Sequence, residues 1–103
     1  MKIAVTSREN NVSSMIDERF GRCSFFAVYD TDTQKVEFLE NPGKTSESGA
    51  GPAAVAFIAK QGVSKIISGE FGMKIRGMLE ALKIEMVSEK AEKSIEQVIN
   101  ENK

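Results

Sequence analysis

The run Ile16-Asp17-Glu18-Arg19-Phe20-Gly21-Arg22-Cys23-Ser24 concentrates the residues of this chain that could do chemistry. Arg19 and Arg22 stand three apart around Gly21, a spacing that can clamp an oxyanion or a sulfide-rich anion. Cys23 is the only cysteine. Arg22 beside it would favour the thiolate, a ligand for a soft metal or a metal–sulfur cluster. The alternative is a small buried hydrophobe that opens a strand. One cysteine cannot complete the four-ligand set of a zinc or iron–sulfur site. A cluster held here would need outside ligands, a second subunit or mainly electrostatic binding. The arginines also have a plainer reading, as surface charge paired with Asp17 and Glu18. Met15 and Met73 offer thioethers, though methionine more often fills gaps in a core.

Further along, Gly49, Gly51, Gly69 and Gly72 flank predicted helix starts, and Lys44 and Lys74 lie close by in sequence. Several reaction classes are excluded. The chain has no histidine, so no Ser/His/Asp set is possible. The first strand, KIAVTS, carries no carboxylate, and Asp30, Asp32, Glu37 and Glu40 gather around a hairpin, mostly at its far end. A two-metal nuclease needs converging carboxylates. Gly49-Ala50-Gly51-Pro52 is followed by no Gly-Lys-Ser/Thr, so it is not a phosphate-binding P-loop. An enzyme acting on a phosphorylated small molecule would lack an evident general base. The reading is a binding protein and not an enzyme.

The elements that must position these residues follow from the apolar pattern. Residues 2–6, 24–30, 35–40, 64–68 and 84–87 read as strands, the second and third forming a hairpin across Thr31–Gln34. Residues 7–23 read as a long polar loop and 41–51 as a polar loop rich in Gly and Ser. A helix is predicted over 52–61, with Pro52 as its first residue and Gly62 as its stop. A second helix, 72–82, places Ile75, Met78, Leu79 and Leu82 on one stripe. A third uses Ala91, Ile95, Val98 and Ile99, with Ser88 as its expected cap.

The order β-β-β-α-β-α-β-α predicts an α/β fold with a five-stranded mixed sheet and helices on both faces. It also predicts that the arginine loop and the starts of the first two helices meet at one edge of the sheet, where ligands of open α/β sheets bind. Two helix N-termini there would favour an anion.

The chain has 103 residues, expected to form a single domain over 1–103. Lys plus Arg is 14 and Asp plus Glu is 15, so no global field draws it to nucleic acid or to a membrane surface. Any anion site must be local. The lone cysteine and the short apolar run at the start point to a reducing, cytoplasmic setting. The expected state is a monomer or weak dimer.

Arg19-Phe20-Gly21-Arg22-Cys23 followed by Phe25-Phe26-Ala27-Val28-Tyr29-Asp30 resembles the dinitrogenase iron–molybdenum cofactor-binding family. Glu40-Asn41-Pro42, Gly49-Ala50-Gly51-Pro52, Gly62-Val63, Ser68-Gly69-Glu70-Phe71-Gly72 and Leu79-x-x-Leu82-x-Ile84-x-Met86-Val87 extend the resemblance over nearly the whole chain. It implies a ribonuclease-H-like three-layer fold without the nuclease carboxylates. It also implies binding or carriage of the iron–molybdenum cofactor, its precursor or a related cluster, such as a molybdenum–copper sulfide. A cluster-biosynthesis or acceptor protein would be the partner. Many members carry a histidine where this chain has Arg19, so a histidine ligand at that position is excluded and charge must serve instead. The expected ligand site is Arg19, Gly21, Arg22, Cys23, Gly49, Gly51, Gly69, Gly72 and Met73, with Cys23 as the candidate metal ligand. The competing expectation is a metal-free interaction or regulatory module.

Overall fold

Two interleaved apolar faces explain the architecture. In the computed structural model, which describes residues 1–45, 49–90 and 92–103, strands β1 (Lys2–Ser7), β2 (Phe25–Asp30), β3 (Lys35–Glu40), β4 (Lys65–Ser68) and β5 (Glu85–Ser88) form one sheet in the order β3-β2-β1-β4-β5. Successive strand residues point to opposite faces. Ala4, Phe26, Val28 and Ile66 therefore face one side, and Ile3, Val5, Ala27, Tyr29 and Ile67 the other. Both sides are apolar, so both must be covered. Helices α1 (Ala50–Ala59) and α2 (Met73–Ala81) cover the first through Ala54, Val55, Ile58, Ile75 and Leu79. Helix α3 (Ile95–Glu101) covers the second through Ile95, Val98 and Ile99.

The sheet is mixed, as the element order predicts. β2 runs antiparallel to β1, with Ala4 opposite Val28, and to β3, with Ala27 opposite Phe38. β4 runs parallel to β1, and β5 parallel to β4. The carboxyl ends of β1, β3, β4 and β5 thus share one edge with the start of β2, and α1 and α2 begin there.

Two local readings are corrected. α1 starts at Ala50, so Pro52 is its third residue; a proline is tolerated there because that N–H has no partner within a helix anyway. Ser88 is the last residue of β5 and not the N-cap of α3. Ser94 is the cap of α3, its hydroxyl accepting from Gln97 N–H at 3.1 Å. Ala91 lies outside the described residues. Gly62 does mark the end of the first helical segment, at φ +75, a backbone shape glycine adopts without strain.

Candidate functional site

The arginine loop is not a loose connection. Ile16 and Phe20 are both buried, but on opposite faces: Ile16 packs under α3, and Phe20 packs under α1 and α2. The Phe20 ring lies 5.6 Å from that of Phe26 and 5.9 Å from that of Phe71. Between these two anchors the backbone is pinned to the carboxyl ends of β1 and β4. Asp17 N–H donates to Thr6 O (3.0 Å), and the Thr6 hydroxyl returns to Asp17 O (2.7 Å). Glu70 N–H donates to Glu18 O at 2.7 Å. Apolar residues scattered through a polar run have no period, so only the structure reveals these anchors.

Arg19 sits beside Glu70 in an isolated parallel bridge. Its backbone N–H donates to Asp17 Oδ1 (2.9 Å), and its Nε lies 3.6 Å from the same oxygen. The side chain is 66% exposed, so this pair is screened by water and leaves the guanidinium reachable. Gly21 rests on the start of α1. A Cβ at Gly21 would stand 3.0 Å from both Cα and N of Gly51, so only a bare backbone can approach this closely. The next residue, Arg22, reaches across to Lys44, its Nη1 donating to Lys44 O at 3.3 Å.

Asn41, to which sequence reasoning assigned no role, clips this arrangement together. It is 5% exposed. Its Nδ2 donates to Gly21 O and to Cys23 O, each at 3.0 Å, while its Oδ1 accepts from Gly43 N–H at 2.9 Å. The Asn-Pro-Gly run is a turn signal, and an asparagine that bonds the backbone two residues on is how such turns form. That signal could have found it. The turn leads into a 3₁₀ helix over Pro42–Thr45.

Cys23 lies in the core. Its residue is fully buried, and its thiol donates to Phe20 O at 3.3 Å. Burial, aided by the nearby charge of Asp17, pushes the thiol up to about 12. Of the two readings of Cys23, the thiolate ligand gives way to a neutral thiol, because Arg22 faces the rim while Cys23 faces Phe20. The small buried hydrophobe is the reading its surroundings match. Among the described residues, no group of three or more His, Cys, Asp or Glu could hold a metal ion.

The glycines divide. Gly51 packs against Ile75 of α2, and Gly69 against the Glu18 backbone. Gly49, at φ +72, precedes α1, and Gly72 precedes α2; each has open space where a Cβ would be. Met73, the first residue of α2, is 90% exposed. Lys74 follows it, also exposed. Met15 does not join them: it pairs with Ser94 at the start of α3, on the other face. The edge thus brings together Arg19, Gly21, Arg22, Gly51, Gly69 and the starts of α1 and α2.

Two hollows open on this edge. A cleft of about 370 Å³ lies outside β4 and β5, lined by Glu18, Gly69, Glu70, Ser88, Glu89 and Lys90. A hollow of about 490 Å³ lies where β2 starts and β3 ends, against α1, lined by Phe25, Asn41, Pro42, Lys44, Phe57 and neighbours.

A family model described as "Dinitrogenase iron-molybdenum cofactor" matches residues 1–103, and the chain belongs to that family. Among solved structures, the apo form of the orange protein from Desulfovibrio gigas is similar at a TM-score of 0.92 and 29% identity, over 98% of this chain and 85% of that one. An NMR structure from Thermotoga, of a DUF35-family protein proposed to be a NifB protein, is similar at a TM-score of 0.82 and 27% identity, over 96% of this chain and 84% of that one. No curated protein sequence matches the chain. No helix among the described residues is long and apolar enough to cross a membrane.

Proposed function

We propose that this protein binds and carries an anionic metal–sulfur cluster, namely the iron–molybdenum cofactor, its precursor or a related cluster, and is not an enzyme. The observation that carries the reading is the seating of Gly21 on Gly51, which sets Arg22 beside Lys44 at the start of α1. Membership of a cofactor family and likeness to a protein solved in an apo form support it. Binding is mainly electrostatic and reversible, as a carrier requires. Arg19 and Arg22 supply charge along the edge, and the segments at Gly49 and Gly51 let backbone come near. Cys23 acts as a ligand only if the Asn41 clip opens. The cargo would be passed between a biosynthetic and an acceptor protein in a reducing cytoplasm.

The test is anaerobic incubation with tetrathiomolybdate and, separately, with iron–molybdenum–sulfur cluster, followed by desalting. Visible absorbance should stay with the protein and fall in Arg22→Ala. A colourless wild-type protein after both incubations would sink the reading and leave the metal-free interaction module.

A further inference from the structure

We propose that the anionic cargo sits in the hollow between the start of β2, the end of β3 and α1, and not in the cleft outside β4 and β5; this rests on the carrier reading above. In open α/β sheets the cleft at the ends of the parallel strands is the usual place for a ligand. Here its walls carry Glu18, Glu70 and Glu89 against one lysine, Lys90. Glu89 is neutralised by Lys93 at 2.6 Å, which still leaves two carboxylates facing one ammonium. An anion entering that cleft meets net repulsion.

The other hollow carries no such excess of carboxylate. Lys44 and Glu40 both line it and offset one another, so an anion entering it meets no net repulsion. Its walls are partly aromatic. Phe25 and Phe57 line it, with the Phe57 ring stacked 6.3 Å from that of Phe26. An apolar wall with a few charged groups suits a large, soft, weakly hydrated anion such as a metal sulfide better than a small, strongly hydrated one. Its size, about 490 Å³, falls within the range of small-molecule sites. Asn41 forms part of its lining and is held by hydrogen bonds to three residues, so the hollow is set before the cargo arrives, and little ordering remains to be done on binding.

The experiment is a titration of the ¹⁵N-labelled full chain with tetrathiomolybdate, followed by amide chemical shifts. The expected result is movement at Phe25, Asn41, Lys44 and Phe57. Lys44→Ala should weaken binding about fivefold, the loss of one screened charge contact. Glu40→Gln should tighten it about twofold by removing the opposing charge, and Glu70→Gln should leave it unchanged. Movement confined to Gly69, Glu70, Ser88 and Glu89, with affinity indifferent to Lys44, overturns this placement while the carrier reading stands. No binding at all overturns the carrier reading and the hollow with it.

Discussion

Asn41 donates its side-chain amide to the Cys23 carbonyl at 3.0 Å and stands 3.7 Å from the same residue's sulfur. One buried side chain thus fixes the strand entrance, the arginine loop and the Pro42 turn together. Removing it leaves Gly21 O, Cys23 O and Gly43 N–H without their partner, and each buried orphan costs about 1–3 kcal/mol. Because water can reach the exposed side of the turn, Asn41→Ala should cost about 2–4 kcal/mol, read as a lower urea midpoint with an unchanged slope. Asn41→Asp keeps the acceptor for Gly43 but turns a carboxylate towards two carbonyl oxygens. It should be no better than alanine near neutral pH.

The buried thiol makes stability fall in alkali. The Cys23 value is raised in the folded protein from its ordinary 9.0 to about 12, first by desolvation and then by Asp17. The unfolded chain therefore loses this proton before the folded one does. The contribution is whole below pH 9 and is lost as pH rises from 9 towards 12. Between those values the slope should be about 1.4 kcal/mol per pH unit. Denaturation of wild type and Cys23→Ala, compared at neutral pH and again above the ordinary thiol value, isolates the contribution of this one thiol. Equal alkaline losses in the two proteins would show that Cys23 is not held neutral.

Two glycines should respond with opposite signs. At Gly69 an added Cβ would lie 2.6 Å from Glu18 Cα. That neighbour is backbone, tied down by the Glu70 N–H bond to Glu18 O, so it cannot step aside. Gly69→Ala should cost about 2 kcal/mol or more through overpacking. Gly77 lies inside α2, exposed, with nothing within 4 Å of its Cβ direction. Gly77→Ala should stabilise by about 0.5–1 kcal/mol, since alanine loses less backbone freedom in a helix. Thermal melting of the two variants beside wild type decides both.

What the sequence shows follows from how far each signal reaches. Period-two and helical patterns are local and repeated, so the hairpin of Phe25–Asp30 with Lys35–Glu40 and the stripe of Ile75 and Leu79 are legible. The alternation of strands and helices then fixes which edge α1 and α2 share. Caps are less legible. Ser88 and Ser94 are both serines ahead of an apolar run, and only the helix start at Ile95, with Gln97 three residues after Ser94, tells them apart. The candidate segments meet at one edge, but their residues divide between that edge and the core. Gly69 packs against the Glu18 backbone, a contact no local pattern announces, and Cys23 lies beside Arg22 in sequence but faces the core. Adjacent residues in a chain entering a strand point to opposite sides, and a string of letters does not say which side is wet.

The salt dependence of binding should separate charge capture from coordination. If the cargo is held by Arg22, Lys44 and their neighbours at an exposed rim, its affinity depends on fields that ions screen. The Debye length falls from about 30 Å at roughly 0.01 M salt to about 3 Å at roughly 1 M. Affinity for tetrathiomolybdate should then drop by about tenfold or more over that range, while Cys23→Ser changes it little. A bond from sulfur or nitrogen to the metal is hardly weakened by salt. Binding that ignores ionic strength yet is abolished in Cys23→Ser would mean that the Asn41 clip opens and the thiol enters the coordination sphere. Anaerobic equilibrium dialysis of the two proteins across the salt series provides the measurement.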